Sequence, residues 1–262
     1  MLRVKIWRTA SDTSPAKTSA KAPSKTKGKY QTFRLPQRDS QTILDVVADI
    51  QRTLAPDLSY RYACRVGVCG SCAMMVNGKP RWTCRTHVGL LGTRNLTIAP
   101  LAHMPTIKDL VADMSGFFAK WNQVGGDYRT DRSRADPPFA IRPDSANRQA
   151  VDEAIACINC GVCYAACKVV AWNRDYLGPA ALNRAWTLVS DDRHADTPHT
   201  LATATSTSGC ANCHSHGRCT AHCPVGISPM ASIAGLKRMS LLRLASTPKP
   251  TAKPTLKPAQ HP

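Results

Sequence analysis

The stretch that decides the fold of the first half of this chain is Cys64-Arg-Val-Gly-Val-Cys69-Gly-Ser-Cys72, which eleven residues separate from Cys84. Three cysteines spaced C-x4-C-x2-C with a distant fourth have the spacing of plant-type 2Fe-2S ligands. Gly67 and Gly70 let backbone amides approach an anionic sulfur closely. A zinc site would instead pair two C-x2-C elements across a longer gap. The spacing therefore predicts a 2Fe-2S cluster with four ligands, Cys64, Cys69, Cys72 and Cys84.

The residues before this loop predict a small sheet and one helix. Apolar side chains alternate with basic ones over 2–8, and alternation resumes over 30–36, so these two segments are expected to form a hairpin. Between them, residues 11–29 are rich in Ser, Thr, Pro, Ala and Lys, which predicts a flexible, disordered insertion. Apolar residues recur at helical spacing over 42–54. A hairpin, a helix and then a cluster loop are typical of a β-grasp ferredoxin domain.

A second cysteine pattern lies between residues 157 and 223. Cys157-x2-Cys160-x2-Cys163-x3-Cys167 is the bacterial ferredoxin run, whose fourth cysteine ligates the other cluster of a pair. A partner set must therefore exist, and Cys213-x5-Cys219-x3-Cys223-Pro224 supplies it. The predicted ligands are Cys157, Cys160, Cys163 and Cys223 for a 4Fe-4S cluster, and Cys167, Cys213 and Cys219 for a third cluster.

The third set is one thiolate short, because His216 stands three residues after Cys213, where a complete 4Fe-4S motif carries cysteine. The simplest consequence is a 3Fe-4S cluster, whose reduction potential rises because fewer thiolates donate electron density. Two alternatives stay open: a fourth iron is bound by His216, or by Cys210, which is spaced C-x2-C with Cys213. Otherwise His216 is an uncoordinated loop histidine and Cys210 a buried structural thiol.

Composition and patterning predict an α+β chain of two domains, since 262 residues with 43% hydrophobic content can bury two small cores. The predicted divisions are a 2Fe-2S domain at 1–124, a linker at 125–146, an α-helical domain with the other two clusters at 147–245 and a disordered basic tail at 246–262. Within the first domain, residues 107–121 carry a broad apolar stripe, which predicts a connecting helix that packs against the second domain.

The chain is strongly basic, with 35 Lys and Arg against 17 Asp and Glu and a formal charge of +18. This balance favours anionic partners, but about +7 of it lies in the insertion and the tail. No apolar run approaches the length that crosses a bilayer, and the N-terminus lacks the apolar region of a secretory signal. Twelve cysteines in an unsecreted chain are better explained as reduced metal ligands than as disulfides.

Further motifs extend the pattern beyond the cysteine spacing. They are CRVGVCGSCAM at 64–74, VNG at 76–78, MPTIKDL at 104–110, CINCGVC at 157–163, YLGPAAL at 176–182 and CPVG at 223–226. With them, nearly the whole chain resembles the iron-sulfur subunit of succinate dehydrogenase and fumarate reductase, respiratory complex II. The resemblance implies electron transfer from the FAD of a flavoprotein subunit, through 2Fe-2S, 4Fe-4S and 3Fe-4S clusters, to quinone at a membrane-anchor subunit, with the reverse direction serving fumarate reduction.

The resemblance also implies a quinone site and a location. In the family, a Trp-Asn pair after the bacterial-type run and a histidine after the first cysteine of the third cluster form part of the quinone pocket. Trp172-Asn173 and His214 stand at these positions, and His216 replaces a usually aliphatic residue at the border of the pocket. The subunit is expected to be peripheral, on the cytoplasmic or mitochondrial-matrix face of the inner membrane.

Two other classes of function compete with this interpretation. A zinc protein that binds nucleic acid would explain the basic charge, but its lysines lie in low-complexity segments rather than beside aromatic residues. The other alternative is an iron-sulfur subunit of a soluble or different redox enzyme. The sequence carries no G-x-G-x-x-G fingerprint, so we expect another polypeptide to hold the flavin and the catalytic centre for succinate.

Overall fold

The computed structural model describes residues 1–10 and 27–246, and its first half is built on a mixed sheet. The strands are β1 (Leu2–Thr9), β2 (Gly28–Leu35), β3 (Ala73–Val76), β4 (Lys79–Trp82) and β5 (Asn95–Ala99). They lie in the order β2-β1-β5-β3-β4. Strands β1 and β5 run parallel and the other neighbours run antiparallel, so the chain crosses over between the two central strands.

The hairpin predicted from alternation is confirmed. Strand β1 pairs with β2 from Leu2 opposite Leu35 to Thr9 opposite Gly28. The three apolar residues that alternate in β1 are fully buried, and the basic residues between them face outward. Alternation at a period of two therefore determined both the strand and its buried face.

The disordered insertion was expected to reach residue 29, and this is wrong for its last two residues. Gly28 and Lys29 already belong to β2. A Cβ on Gly28 would lie 2.5 Å from the carbonyl oxygen of Arg8, so this close strand pairing requires glycine. Residues 11–26 of the predicted insertion fall outside the described residues. The disordered tail expected at 246–262 is wrong for Ser246, which is the last residue of the helix Pro229–Ser246, and the rest of it, 247–262, also falls outside the described residues.

Helix α1 (Ile43–Thr53) packs on the sheet and completes the first core. Its N-terminus is a capping box: the Asp45 amide donates to Thr42 Oγ1 at 3.2 Å, and the Thr42 amide donates to Asp45 Oδ2 at 2.9 Å. Val46, Val47 and Ile50 are completely buried against the strands. The helix predicted over 42–54 is thus confirmed to within one residue at each end.

The helix expected over 107–121 is wrong in its first half. The chain instead forms a two-stranded hairpin of β6 (Thr106–Lys108) and β7 (Val111–Ala112), and helix α2 spans Ser115–Gln123. The turn between the strands contains Asp109, which has a φ of +47° that no helix residue adopts. The buried Asp109 carboxylate accepts hydrogen bonds from the Thr9 amide at 2.9 Å and the Ser59 amide at 3.0 Å. These long-range bonds outweigh the local helical pattern.

The second half is helical. Its helices are α3 (Ala146–Val151), α4 (Val162–Ala166), α5 (Lys168–Trp172), α6 (Pro179–Val189), α7 (Thr197–Ala204), α8 (Arg218–Ala221) and α9 (Pro229–Ser246). Helix α6 is central and packs against both α7 and α9. Among the helices of the described ranges, none is long and apolar enough to cross a membrane.

The two halves are joined by packing as well as by the chain. Phe117 of α2 enters the core of the second half, where its ring centroid lies 5.6 Å from that of Tyr164. A smaller cluster brings Ala73 of β3 against Val162 and Ala165 of α4. The apolar stripe of the expected connecting helix therefore does contact the second half, through its C-terminal part.

Candidate metal centres

The first cysteine loop, at 64–72, winds so that backbone amides point at sulfur. The Val68 amide donates to Cys64 Sγ at 3.4 Å, and the Ser71 amide donates to Cys69 Sγ at 3.5 Å. Positive φ angles at Arg65 (+60°), Gly67 (+80°) and Gly70 (+72°) produce this winding. The amides of Val68 and Val66 lower the pKa of the Cys64 thiol to about 6, so the loop favours anionic sulfur.

The other two cysteines of the first set, Cys72 at the end of the loop and Cys84 beyond it, are buried. Cys84 lies on a 3-10 turn that follows β4, and the Thr83 hydroxyl and amide both donate to the Cys72 carbonyl, at 2.9 and 3.3 Å. Burial, followed by contact with Cys72, raises the pKa of Cys84 to about 11. The neighbouring charge of Cys64 contributes to the same upward shift in the pKa of Cys84.

The second set lines one cavity. Its walls contain Cys157, Cys160, Cys163 and Cys223, closed by Ala180, Ile227 and Pro224. Cys223 reaches this cavity from a separate segment of the chain. Burial raises the pKa of the Cys160 thiol to about 11 and raises that of Cys163 further above its ordinary value, so thiolates here need a metal to compensate their charge.

The third set lines a separate cavity. Cys167, Cys213 and Cys219 form its walls together with His214, His216 and Tyr176. Cys210 is not among the described residues that line it. That thiol is 2% exposed and packs in the core of the second half. The cavity therefore brings three predicted cysteines together with one of the two alternative ligands.

Two residues at the third cavity were not assigned a role from the sequence. Tyr176, 1% exposed, lies in the wall of the cavity that Cys213 also lines, and burial is the main cause that raises its pKa. Lys237 of α9 donates from Nζ to the Cys213 carbonyl oxygen at 2.6 Å. Tyr176 begins the YLGPAAL motif, so the sequence could have identified it. Lys237 lies 24 residues beyond Cys213, and no local pattern connects these two residues.

The three predicted quinone residues come together beside this cavity. The Trp172 ring lies edge-on to His214 with centroids 5.6 Å apart, and His214 stacks on His216 at 6.0 Å. Trp172 is 64% exposed, so its indole face is open to a partner molecule. The Asn173 side chain donates to Asn212 Oδ1 at 3.2 Å and ties the tryptophan segment to the cysteine segment.

The first and second centres adjoin each other. Gly70 of the first loop packs directly on Cys160, and a shared cleft is lined by Cys69, Ser71, Ile158 and Cys160. In the described part of the chain, no three His, Cys, Asp or Glu side chains are placed to hold a single metal ion. The second and third cysteine sets line cavities instead, and the first has amide donors directed at its sulfurs, and both features fit polynuclear iron-sulfur clusters.

Comparison with known proteins agrees with this geometry. A family model described as a 2Fe-2S iron-sulfur cluster binding domain matches residues 4–119, and one described as a 4Fe-4S dicluster domain matches residues 156–228. A structure titled Mycobacterium smegmatis Sdh1 complex in the apo form has a similar fold, with a TM-score of 0.78 at 24% identity over 94% of this chain and 97% of that one.

Curated relatives carry the comparison beyond the fold. The fumarate reductase iron-sulfur subunit of Escherichia coli O157:H7 is 34% identical over 77% of this chain and 82% of its own length. The succinate dehydrogenase iron-sulfur subunit of Paracoccus denitrificans is also 34% identical, over 77% of both chains. These relatives favour an electron-transfer role over the zinc-binding, nucleic-acid-binding alternative. The chain belongs to the iron-sulfur subunits of the succinate dehydrogenase and fumarate reductase family, and transfers electrons through its 2Fe-2S and 4Fe-4S domains.

Proposed function

We propose that this chain relays electrons between the FAD of a flavoprotein subunit and quinone held at a membrane-anchor subunit. The observation that carries the proposal is the order of the three thiol sets. The first contacts the second, and helix α4 joins the second to the third because it carries Cys163 and ends directly before Cys167. When bound, the clusters supply one-electron redox chemistry. The chain's own part is to hold them in sequence and to exclude water from the buried thiols.

The ligand assignment within this proposal follows the cysteine spacing for the first set and the two cavities for the second and third sets. A 2Fe-2S cluster is held by Cys64, Cys69, Cys72 and Cys84, a 4Fe-4S cluster by Cys157, Cys160, Cys163 and Cys223, and the irons of a 3Fe-4S core by Cys167, Cys213 and Cys219. Amide donors at the first loop stabilise negative charge on sulfur and thereby raise the potential of the first cluster. The Tyr176 hydroxyl and the Lys237 ammonium have the same effect at the third.

At the quinone end, Trp172 and His214 supply the recognition chemistry. An indole N–H is an obligate hydrogen-bond donor, which suits a quinone carbonyl, and a histidine ring transfers protons near neutral pH. The edge-on contact of the two rings places donor and proton carrier beside the third cavity. Both side chains are exposed, and we infer that this surface faces the anchor subunit and that the chain is peripheral on the cytoplasmic or matrix face.

The test is purification of the full chain with the subunits that accompany it. We expect a brown complex with acid-labile sulfide, a flavoprotein, an anchor subunit and succinate-dependent reduction of quinone. A colourless protein that contains zinc, or an iron-sulfur protein in a soluble two-subunit enzyme without quinone activity, would overturn the proposal. Within the complex, Trp172→Phe should raise the KM for quinone because it removes the indole N–H donor. The KM for succinate should not change, since the exposed ring contributes little to folding.

A further inference from the structure

The ligand loops of the second and third centres follow the same backbone course. A 3-10 turn at Ala154–Ala156 leads into Cys157, and a 3-10 turn at Cys210–Asn212 leads into Cys213. The two cysteines that follow have nearly equal backbone angles, φ −62° and ψ 124° for Cys157, and φ −74° and ψ 119° for Cys213. Each loop then enters a short helix that carries a further predicted ligand.

The unusual backbone angles within the loops also correspond. Two residues after the first cysteine, Asn159 has φ +53° and Ser215 has φ +56°. Two residues further, Gly161 has φ +76° and Gly217 has φ +69°. A non-glycine residue with positive φ is uncommon, so this double coincidence identifies the loops as copies of one cluster-binding turn.

The correspondence separates the two alternative ligands. His216 takes the position of Cys160, a predicted ligand of the second cluster, and it lines the third cavity. Cys210 takes the position of Ala154, which begins the turn before the ligand loop, and its side chain lies in the core. Of these two residues, only the histidine stands where the fold presents a ligand to iron.

We propose that His216 binds a fourth iron, so that the third centre interconverts between a 3Fe-4S and a 4Fe-4S cluster with three thiolates and one imidazole. This inference rests on the proposed function, since it requires a cluster on Cys167, Cys213 and Cys219. A neutral imidazole nitrogen is a common iron ligand and donates its lone pair without adding charge. With one thiolate fewer than a site of four cysteines, the fourth iron is held less tightly and leaves more readily.

The interconversion balances in atoms and electrons. A one-electron-reduced 3Fe-4S core contains two ferric and one ferrous iron. Addition of one Fe²⁺ gives a 4Fe-4S core with two ferric and two ferrous irons, and no further electron is exchanged. Fe²⁺ forms bonds to three core sulfides and to a His216 ring nitrogen, and gives up bound water. The reducing electron comes from the relay itself, or from dithionite in the experiment below.

The test uses the intact complex, prepared anaerobically, reduced with dithionite, incubated with Fe²⁺, freed of excess metal and then oxidised mildly. An oxidised 3Fe-4S cluster is paramagnetic and an oxidised 4Fe-4S cluster is not. We expect the wild-type protein to gain one iron per chain and to lose the 3Fe-4S electron paramagnetic resonance signal. His216→Ala should gain no iron and keep the signal, and His216→Cys should lack the signal even without added Fe²⁺.

Two matched variants control for position and chemistry. His214→Ala removes the neighbouring imidazole and Cys210→Ser removes the competing thiol, and both should take up iron as the wild type does. Uptake by His216→Ala equal to the wild type, loss of uptake in Cys210→Ser, or a wild-type signal unchanged by Fe²⁺ would each overturn the inference. Failure of the cluster assignment in the proposed function gives a different result, namely no acid-labile sulfide and no cluster signal in any of the proteins, whereas failure of its quinone step alone is seen as missing quinone reduction with the iron uptake unaffected.

Discussion

Gly70 packs against Cys160 so closely that a Cβ on the glycine would lie 2.4 Å from the cysteine Cβ. The loop of the first centre therefore meets a predicted ligand of the second centre with no side chain between them. Electrons that leave the first cluster have a short path through the backbone of one loop to the sulfur of the next. The position needs glycine for a second reason, since its φ is +72°.

Replacement of Gly70 should disrupt this contact. Gly70→Ala adds backbone strain and a methyl group that forces the two loops apart, and overpacking of this kind costs about 1–3 kcal/mol. At this chain length that corresponds to a fall of roughly 3–10 °C in melting temperature. We also expect slower reduction of the second cluster, measured by rapid-freeze electron paramagnetic resonance after the first cluster is reduced.

Gly78→Ala is the matched control for backbone strain. Gly78 has a φ of +75°, close to that of Gly70, but a Cβ there would meet nothing within 4 Å. This variant should show only the strain of a left-handed residue, about 1 kcal/mol, with cluster reduction at the wild-type rate. Equal melting temperatures and equal rates of reduction of the second cluster in the two variants would mean that the contact between Gly70 and Cys160 affects neither stability nor electron transfer.

Tyr176 should set the potential of the third cluster. Its hydroxyl-bearing side chain lines the same cavity as Cys213, and a hydroxyl that donates to a cluster thiolate would stabilise the reduced state, so Tyr176→Phe should lower the reduction potential. Loss of about 1 kcal/mol of hydrogen bonding corresponds to roughly 40 mV for one electron. A redox titration of the third-cluster signal measures the shift.

Tyr164→Phe serves as the comparison for Tyr176. The Tyr164 hydroxyl accepts from Lys120 Nζ at 3.1 Å, and its ring packs in the same core. Its removal should leave the potential of the third cluster within a few millivolts of wild type. A shift of equal size in both variants would indicate general repacking of the core rather than a bond to Cys213.

Asp109 should contribute strongly to stability without affecting the clusters. It is 1% exposed and accepts from two backbone amides and from Arg8 Nε, which lies 3.3 Å away. Asp109→Asn removes the negative charge. It also replaces one carboxylate oxygen, a hydrogen-bond acceptor, by an NH2 group that would face the N–H groups of Thr9, Ser59 or Arg8. We expect a loss of about 2–4 kcal/mol in chemical denaturation, since breaking a buried charged network costs several kcal/mol.

Asp57 provides the contrast, because it also pairs with Arg8 but is 70% exposed. Asp57→Asn should cost less than about 1 kcal/mol, as exposed ion pairs do. Both variants should keep wild-type cluster signals, since neither carboxylate touches a cysteine loop. A larger loss from Asp57→Asn than from Asp109→Asn would contradict the network as described.

The start of helix α2 should give a pH-dependent contribution to stability. Asp113 accepts from the Ser115 hydroxyl at 2.5 Å and from its amide at 2.8 Å, and these bonds lower the pKa of the carboxyl group. A lowered pKa in the folded state stabilises the fold above the unfolded pKa near 4, and this contribution disappears as pH falls through the folded value.

Asp113→Ala should therefore be less stable than wild type by roughly 0.5–1 kcal/mol at pH 7, a modest effect because the carboxylate is partly exposed. The difference should shrink below pH 4, as followed by denaturation at several pH values. Ser115→Ala removes one donor and should show part of the same dependence. A constant difference between pH 7 and pH 3 would show that the ionised carboxylate is not responsible.

The sequence predicted those parts of the molecule that local spacing specifies. Alternation in β1 and the helical spacing over 42–54 act within a few positions, and the cysteine spacings reflect the size of the clusters they enclose. Asp109 shows the limit of such reasoning, because its partners Thr9 and Ser59 are 100 and 50 residues distant. The apolar stripe over 107–121 is genuine, but long-range hydrogen bonds decide the backbone.

The same distinction applies to the site. Spacing identified His216 as an anomaly but left Cys210 as an equal alternative, since both stand three residues from Cys213. In the folded loop, His216 lines the cavity and Cys210 lies in the core, and spacing alone does not specify this difference. Lys237 was beyond sequence reasoning altogether, because helix α9 reaches Cys213 only through the packing of the second half.

The position of Cys223 has a consequence for how the protein is made. It lines the second cavity although 59 residues separate it from Cys163, and Cys167, the last cysteine of the same run, lines the third cavity. A ribosome must therefore complete both loops before either neighbouring cluster has its full set of ligands. Insertion of these two cofactors is therefore coupled to closure of the helical half, and a chain truncated before residue 213 would lack ligands for both.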